Sequence, residues 1–358
     1  MIDFLVIGGG IGGISAAARL APLGKTVVLE RESALGYHAS GRSAAMFEPN
    51  YGSPSTVELS HASGDFFQSE DDSFLSPRGV MFLAAKGEDE AFKRCCESFD
   101  AAPMDLQQAS EMVPILNMDA IGNIAHHHSG EDIDTDRLIQ WFAKTCRAHG
   151  GAVNTGQEVT KITKLADGWE VLANGETYTA KMLLNAAGAW VDEVAKLAGI
   201  APLNVSPLRR SMARIPAPGG HDVSTWPMLL DIHENWYSKP DAGSLIVSPA
   251  EEDPMQPFDA WADDMIIAEG LARYQEFVTE EVTRVEATWA GLRTFSPDRN
   301  LVIGPDANEP SFFWVACQGG YGFQSCPAVA QLVADLISGQ TPEIAPEIIA
   351  AIDPQRFA

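Results

Sequence analysis

The first thirty residues constrain the fold more than any other stretch of the chain. Residues Ile2 to Ile7 form an apolar run that indicates a buried strand, and three consecutive glycines follow it directly. The spacing Gly8-x-Gly10-x-x-Gly13 leads into a segment with helical apolar spacing. A second short apolar strand follows and ends at Glu30. Strand, glycines, helix, strand and terminal carboxylate thus occur in the order of a dinucleotide-binding unit.

Each part of this unit suits a nucleotide with a pyrophosphate. Gly8 allows a tight turn, Gly10 lets the pyrophosphate approach the backbone, and Gly13 lets the helix pack closely on the strand. The helix N-terminus offers unpaired N–H groups and the positive end of the helix dipole. Glu30 can accept hydrogen bonds from ribose hydroxyls. The alternative is a glycine-rich turn without a ligand, and the motif alone does not distinguish FAD from NAD.

Length and charge narrow the class of protein. At 358 residues the chain exceeds the usual size of a single core, so we expect about two domains. A net charge of −25 argues against nucleic acid or an anionic membrane as a partner. No apolar run has the length of a transmembrane helix, and no basic segment typical of a signal peptide precedes the first strand. We therefore expect a cytoplasmic protein.

Cysteine and histidine do not indicate a metal centre. The five cysteines include no Cys-x-x-Cys pair, which favours a reducing compartment and no structural zinc. In the run 126–128, His126 and His128 would share one face of a strand. Their spacing to Glu131 and Asp132 matches no established metal-site pattern, so we predict that no metal is bound.

Several motifs, taken together, resemble those of the D-amino acid oxidase (DAO) superfamily of FAD-dependent oxidoreductases. Besides the fingerprint, they are Glu30-Arg31, Ser40-Gly41-Arg42-Ser43-Ala44-Ala45, Asn185-Ala186-Ala187-Gly188-Ala189-Trp190 and Gln318-Gly319-Gly320-Tyr321-Gly322. Other segments resemble the D-arginine dehydrogenase branch, namely Tyr37-His38, the loop around Tyr51, Leu75-Ser76-Pro77-Arg78, Tyr237-x-Lys239-Pro240-Asp241-Ala242-Gly243 and Thr288-Trp289-Ala290-Gly291-Leu292-Arg293. The resemblance spans essentially the whole chain.

The pattern of elements and this resemblance predict an α/β fold. Its parts are an FAD-binding, Rossmann-like domain of the glutathione-reductase type and an inserted, mostly antiparallel α+β substrate domain. Glycine turns after apolar strands, at Gly188 and at Gly319-Gly320, return the chain to the first domain. We also expect a turn at residues 75–79, a hairpin around Asn174-Gly175 and a helix at residues 260–277. The predicted FAD-binding domain comprises residues 1–78, 135–205 and 285–358, and the substrate domain comprises residues 79–134 and 206–284.

The resemblance implies FAD, rather than NAD, as the bound dinucleotide. The residues that it implies for FAD binding are Gly8, Gly10, Ile11, Gly13, Glu30, Arg31, Arg42, Ser43, Ala44, Ala45, Val159, Ala187, Gly188, Trp190, Gly291, Arg293, Gly319, Gly320, Tyr321 and Gly322. From its position alone, Arg42 could bind phosphate or cap a surface. Some sarcosine oxidase relatives attach FAD through a cysteine before a Ser/Thr-Pro-Asp stretch. Gly291 stands at about that position here, which implies non-covalent FAD.

The resemblance also implies oxidation of an amine or amino acid to an imine. Arg210 and Arg293 correspond to residues that contact the substrate carboxylate, for which guanidinium is a suitable planar fork. Tyr51 and Tyr237 correspond to tyrosines that close over the substrate and touch its carboxylate. Gly320 corresponds to a residue whose backbone carbonyl receives the substrate amine. Without the resemblance, ion pairing and packing would account for the arginines and tyrosines.

Departures from the branch affect the expected substrate. Met46 stands where the D-arginine branch has a histidine, and Val80 stands where it has the glutamate that pairs with the substrate guanidinium. Val80 cannot balance a cation, and Met228 and Leu230 would line the same side of the pocket, so we predict a neutral, mainly apolar substrate side chain. The sequence alone does not place the charges of Glu48 and Arg214. If Arg214 reached the pocket, an acidic substrate would become possible.

We therefore predict FAD-dependent oxidation of a D-amino acid with a neutral or apolar side chain. Hydride would pass from Cα to flavin N5, and water would convert the imino acid to a 2-oxo acid and ammonia. No motif contains an evident base, so solvent or a pocket tyrosine would take the ammonium proton. The alternatives are a secondary-amine oxidase of the sarcosine or glycine oxidase type, a 2-hydroxy acid dehydrogenase and a flavoprotein without turnover. The electron acceptor, a quinone or O2, and the oligomeric state are not encoded in a motif.

Overall fold

The computed structural model describes residues 1–69 and 74–357. Within these ranges the strands are, in chain order, β1 Ile2–Ile7, β2 Thr26–Leu29, β3 Met46–Phe47, β4 Leu75–Pro77, β5 Val80–Ala85, β6 Ala102–Met104, β7 Ile121–His127, β8 Glu131–Ile133, β9 Ala152–Asn154, β10 Val159–Leu165, β11 Gly168–Ala173, β12 Glu176–Asn185, β13 Ser206–Ile215, β14 Met228–Asp231, β15 Tyr237–Asp241, β16 Ser244–Ser248, β17 Asp253–Pro254, β18 Ala287–Phe295, β19 Val302–Pro305 and β20 Phe312–Ala316.

The α-helices lie between these strands and at the C-terminal end. In the same ranges they are α1 Ile11–Leu20, α2 Pro54–Ala62, α3 Gly64–Phe67, α4 Asp89–Phe99, α5 Leu106–Met112, α6 Thr135–Ala148, α7 Val191–Leu197, α8 Asp264–Glu276, α9 Gly322–Ser338 and α10 Pro346–Ile352. The expected helix at 260–277 begins only at residue 264, because the side chain of Asp263 caps it by accepting from the N–H groups of Met265 and Ile266.

One eight-stranded sheet contains the N-terminal unit. Its strand order is β10-β11-β12-β1-β2-β9, and β20 extends it from β12 to β19. Strand β1 runs parallel to β2 and β12, with Val6 opposite both Val28 and Leu184. All three side chains are fully buried, since α1, α6 and α9 pack on that face and α7 packs on the other. The carboxyl ends of these parallel strands face the glycine turns.

The predicted hairpin around Asn174-Gly175 is confirmed. Strands β11 and β12 pair antiparallel, with Ala173 opposite Glu176 across the two-residue turn. Both turn residues have positive φ, 44° for Asn174 and 81° for Gly175. A two-residue turn of this kind matches the twist of the flanking strands, which is why Asn-Gly favours it.

A second sheet of nine strands forms the wall opposite the glycine turns. Its order is β17-β13-β16-β15-β14-β5-β7-β6, and β18 lies alongside β13. All pairs are antiparallel except β5 and β14, which run parallel with Val80 beside Met228 and Phe82 beside Leu230. Trp236 and Tyr274 are almost completely buried where α8 packs on this sheet. The expectation of a mostly antiparallel second unit is confirmed.

Two details differ from the sequence-based expectations. Residues Leu75–Pro77, expected in a turn, form β4, which pairs with β8 in a small sheet of order β3-β8-β4. Strand β18 hydrogen-bonds to β13 of the nine-stranded sheet along its whole length, from Phe295 opposite Ser206 to Ala287 opposite Arg214. The predicted boundary at residue 285 assigned β18 to the first domain, whereas this pairing supports a boundary after Phe295.

Within residues 1–69 and 74–357, no helix combines the length and the hydropathy needed to cross a membrane.

Candidate active site

A continuous cleft runs from the carboxyl end of β1 to the nine-stranded sheet. It consists of an outer, a middle and an inner cavity of about 190, 120 and 90 Å³, each partly open to solvent. The outer and middle cavities share Gly10 and Arg42 as walls, and the middle and inner cavities share Arg293 and Gly320. An elongated ligand would fit the outer and middle cavities, and its inner end would then lie next to a smaller ligand in the inner cavity.

Most of the residues predicted for FAD line this cleft. The outer cavity is lined by Gly8, Gly10, Glu30, Arg31, Arg42, Val159, Ala187, Gly188, Trp190 and Gly291. The middle cavity adds Ile11, Ser43, Arg293, Gly319, Gly320 and Gly322. Ala44 and Ala45 line the inner cavity. Gly13 and Tyr321 line none of the three. Gly13 packs under the turn, and the Tyr321 ring lies 5.4 Å from that of Tyr51.

The glycines of this turn differ in how closely their neighbours approach them. Gly8 has φ +106°, and a Cβ there would lie 2.4 Å from the Ala186 carbonyl oxygen. A Cβ at Gly13 would lie 2.0 Å from the Gly8 carbonyl oxygen. At Gly10 a Cβ would meet only Ser40 Oγ, at 3.3 Å. The backbone therefore stays open to the cleft at Gly10, where a pyrophosphate must approach.

Two side chains hold this turn in place. Glu30, which is 7% exposed, accepts hydrogen bonds from the N–H groups of Gly9 at 2.6 Å and Glu32 at 2.8 Å. Ser40 Oγ accepts from the Ile11 N–H at 3.1 Å, at the start of α1. The Glu30 carboxylate still lines the cleft, so its remaining lone pairs are available to a ribose.

The two arginines of the outer cavity are engaged with the protein itself. The Arg42 guanidinium donates to the carbonyl oxygens of Ala260 at 2.8 Å and Ala290 at 2.9 Å, and to Asp259. These hydrogen bonds connect the segment that follows β2 with strand β18 and with the residues that precede α8. Arg31 lies over the Trp190 ring at 5.1 Å. Both contacts shape the walls of the cleft, which the sequence did not reveal.

Gln318 is a cleft residue that the sequence did not single out. Its Nε2 and Oε1 atoms are buried, and neither has a hydrogen-bond partner among the described residues. Nε2 lies 3.3 Å from the position of a Cβ at Gly12, beside the N-terminus of α1. An amide left unpaired in this way is costly unless a ligand completes it. The glycine cradle, the helix N-terminus and this amide together fit a bound dinucleotide.

The backbone at Ala44 is tied to the substrate domain. Lys239 Nζ donates to the Ala44 carbonyl oxygen at 2.5 Å and to Asp132 Oδ1 at 2.7 Å. Asp132 Oδ2 in turn accepts from Arg78 Nε at 2.8 Å. Ala45 has φ 40°, which is unusual for a residue with a side chain, so the segment needs this support.

The inner cavity contains two arginines with different environments. Arg210, 8% exposed, donates through Nε to the Glu251 carbonyl oxygen at 3.0 Å and through Nη2 to Glu252 at 3.4 Å. Burial and the neighbouring Arg293 lower the pKa of Arg210. The Arg293 guanidinium packs against Gly320, where a Cβ would lie 3.0 Å from Cζ. In the described ranges the Arg293 guanidinium makes no hydrogen bond and no ion pair, so its donors are free to bind an anion.

The two tyrosines Tyr51 and Tyr237 of the inner cavity have different hydroxyl partners. The Tyr51 hydroxyl donates to Glu234 Oε2 at 2.9 Å, and burial, with Glu234, raises the pKa of Tyr51. The Tyr237 hydroxyl lies 3.6 Å from Met212 Sδ. Because Tyr51 holds its proton so firmly, it is unsuited to take the ammonium proton of a substrate, a role the sequence had left open.

The far side of the inner cavity is mainly apolar. Met46, Val80, Met228 and Leu230 line it, together with Phe82 and Phe99. Arg214 does not line any of the three cavities and pairs with Asp241, so the acidic substrate considered for it has no support.

One carboxylate interrupts this apolar wall. Glu48 lines the inner cavity at 5% exposure, and its Oε2 lies 2.6 Å from His127 Nδ1. Burial raises the pKa of Glu48, although His127 opposes the shift. The described residues contain no cluster of three or more metal-ligating side chains, and the rings of His126 and His128 make an edge-to-face contact with their centroids 4.1 Å apart. No sequence pattern indicates the Glu48–His127 pair, which joins segments 79 residues apart.

Comparison with known proteins is consistent with this architecture. The sequence model of the family described as FAD dependent oxidoreductase (DAO) matches residues 3–336. The chain is 23% identical over 395 residues to FAD-dependent oxidoreductase domain-containing protein 1 of Bos taurus, covering 94% of this chain and 81% of that protein. It is 25% identical to the mitochondrial dimethylglycine dehydrogenase of Homo sapiens, over 99% of this chain but only 44% of that protein.

A solved structure shares the whole fold. The L-proline dehydrogenase from P. horikoshii superposes with a TM-score of 0.85 at 22% identity, over 99% of this chain and 97% of that one.

Proposed function

This chain belongs to the DAO family of FAD-dependent oxidoreductases, and from that premise we propose that it oxidises a D-amino acid with a neutral side chain. The product would be the imino acid, which water hydrolyses to a 2-oxo acid and ammonia. Bound FAD supplies the two-electron acceptor for the hydride that leaves Cα. The residues of the chain bind the substrate, orient its α-hydrogen and exclude water. The resemblance to the D-arginine dehydrogenase branch favours the D configuration.

The observation that carries this proposal is the unpaired guanidinium of Arg293. A cation without an anionic partner beside Gly320, at the junction of the middle and inner cavities, invites a carboxylate from the cleft. Arg210, already engaged by Glu252, would add a second fork. Tyr237 and, once released from Glu234, Tyr51 would cover the carboxylate. An amino acid or an N-substituted amino acid provides this group, whereas a simple amine does not.

The Gly320 carbonyl is suited to receive the substrate amine. Its oxygen accepts no hydrogen bond within residues 1–69 and 74–357. A carboxylate on Arg293 and an amine on this carbonyl would fix two of the four groups on Cα, which orients the remaining hydrogen. The side chain then points to the wall formed by Val80, Met228 and Leu230, which favours neutral groups.

A secondary amine is the second candidate substrate. The relatives include a dimethylglycine dehydrogenase and an L-proline dehydrogenase, whose names state N-alkylated or cyclic amino acids. Both kinds of substrate retain the carboxylate that Arg293 would bind. For location, the five free cysteines support a reducing, cytoplasmic compartment.

Anaerobic flavin reduction tests the proposal. The purified holoenzyme would be mixed without oxygen with D- and L-amino acids, sarcosine, proline and D-lactate, and the loss of oxidised-flavin absorbance would be recorded. Rapid reduction by D-amino acids with neutral side chains is the expected result. Reduction by sarcosine or proline alone would establish the second candidate, and no reduction by any amine would refute amino acid oxidation. Mixing the reduced enzyme with oxygen or a quinone would identify the acceptor.

A further inference from the structure

We propose that Glu48, held by His127, determines substrate specificity by accepting a hydrogen bond from a neutral polar group at the end of the substrate side chain. The proposal rests on the proposed function, since it concerns the part of the inner cavity that the amino acid side chain would enter. It refines the expectation of a neutral, mainly apolar substrate side chain. Suitable substrates carry an apolar stem and a terminal amide or hydroxyl donor.

Glu48 reaches this position through the strand that follows the Ala44 segment. Strand β3 places Met46 and Phe47 opposite Asp132 and Glu131 of β8. Beyond it, the Glu48 N–H donates to Gln324 Oε1 at 3.4 Å. The carboxylate then lies beside Gly130, where a Cβ would be 3.5 Å from Glu48 Oε2 and 2.9 Å from a methyl group of Val80. Glu48 therefore meets the apolar wall at Val80.

The carboxylate has acceptor capacity left for a ligand. Among the described residues its partners are His127 Nδ1, 2.6 Å from Oε2, and the Asn50 N–H, 3.4 Å from Oε1. A carboxylate offers about four acceptor positions, so at least one remains on each oxygen. A substrate side chain that fills the cavity excludes water from the buried carboxylate. A hydrogen-bond donor on that side chain then stabilises the complex, because the unused lone pairs would otherwise have no partner.

The histidine behind Glu48 favours a neutral donor over a cation. A carboxylate and an imidazolium, which has two N–H protons, together carry no net charge. Burial favours this neutral pair over a pair with a net charge. Burial raises the pKa of Glu48, which shows that an isolated negative charge is disfavoured at this position. The other carboxylate that lines this cavity, Glu234, is exposed and accepts a hydrogen bond from Tyr51. A lysine or arginine side chain would therefore find no uncompensated carboxylate beside Val80.

Matched substrates isolate this hydrogen bond. D-Asparagine and D-leucine have nearly the same shape, and so do D-glutamine and D-homoleucine, so each pair differs mainly in whether the side chain ends in an amide or in two methyl groups. In the wild-type holoenzyme, kcat/KM for the amide should exceed that for its apolar match in at least one pair. In Glu48→Leu, which removes the acceptor at similar volume, the amide-to-apolar ratio should fall by roughly 10- to 100-fold, the effect of losing one hydrogen bond to a buried acceptor. The change should be mainly in KM.

Two further variants guard against a merely structural effect. Glu48→Gln keeps one carbonyl acceptor and should give an intermediate ratio. Glu131→Leu changes a carboxylate on the neighbouring strand that does not line the cavity, and its ratio should equal that of wild type. Visible flavin spectra and melting temperatures would show that all variants bind FAD.

Binding of unreactive acids separates this inference from the proposed function. Glutaramate, which is glutamine without its amino group, and 5-methylhexanoate, its apolar match, can be titrated calorimetrically into wild type and Glu48→Leu. Tighter binding of glutaramate, lost in the variant, would support the role of Glu48 even if no D-amino acid reduces the flavin. Equal ratios in wild type and Glu48→Leu, or faster oxidation of D-lysine than of D-glutamine, would overturn the proposal.

Discussion

The close contact between the start of α1 and the end of β1 predicts that Gly13→Ala creates a backbone clash. The new methyl carbon would lie 2.0 Å from the Gly8 carbonyl oxygen, whereas ordinary van der Waals contact begins at 3.4 Å. The shortfall is about 1.4 Å, and the atom in the way belongs to the backbone. No side-chain rotation can relieve the clash, so the start of α1 must move away from β1.

This movement should affect both stability and cofactor binding. Overpacking a well-packed core costs about 1–3 kcal/mol, and we expect a value near 3 kcal/mol because the backbone has to shift. In a protein of this size, that loss lowers the melting temperature by roughly 5–10 °C. The shift also carries the Ile11 N–H and the helix dipole away from the pyrophosphate, so the variant should lose FAD during dialysis.

The neighbouring glycine provides the control. A Cβ at Gly12 would meet only the Gln318 side chain, at 3.3 Å from Nε2, which can move. Gly12→Ala should therefore change the melting temperature by less than Gly13→Ala. Melting temperature and the ratio of flavin to protein absorbance, measured for both variants before and after dialysis, decide the matter. Equal stability and equal FAD content in the two variants would show that the close approach at Gly13 does not position the cofactor.

Three further predictions follow from the described contacts. Arg293→Met should lower kcat/KM by roughly 30- to 1000-fold through loss of about 2–4 kcal/mol of carboxylate binding, mainly in KM, and an unchanged KM would contradict this role. Arg42→Met removes three donations to Asp259, Ala260 and Ala290 and should weaken FAD binding by about 1–3 kcal/mol, measured by flavin fluorescence. Burial lowers the pKa of His126 from 6.5 to about 4, and neither ring nitrogen has a hydrogen-bond partner in the described ranges. Between pH 6.5 and pH 4 the unfolded chain therefore binds a proton on this ring that the folded chain does not bind. The free energy of unfolding should be unaffected by this group above pH 6.5 and should fall by about 3 kcal/mol towards pH 4. Urea unfolding should show this slope in wild type and a flatter one in His126→Leu.

The nucleotide-binding half of the fold was predictable because its signals are local. Strand, glycine spacing and helix follow one another within thirty residues, and each glycine has one evident steric reason. The Asn174-Gly175 hairpin is local in the same sense. Family resemblance then brought Arg210, Arg293 and Gly320 to one cleft, which spacing alone does not do.

The features that sequence reasoning missed depend on long-range pairing. Glu48 and His127 are 79 residues apart, and the Arg42 contact to Ala290 spans 248 residues. Strand β4 has three residues and contains a proline, too short for an alternating pattern, so it was expected in a turn. Gln318 was seen only as the start of a glycine turn, although its unpaired amide is evident once α1 and the turn are packed together.

The parallel pairing of β5 and β14 makes the width of the pocket a property of residue pairs. Val80 lies beside Met228 and Phe82 beside Leu230, and all four line the inner cavity. Within each pair, a large side chain on one strand and a small one on the other fill a common space. Exchanging Val80 and Met228 would keep the total side-chain volume and move the larger side chain from one strand to its neighbour. The exchange should cost less stability than either substitution alone. A library that varies these positions as compensated couples would therefore sample new side-chain preferences while most of its members still fold.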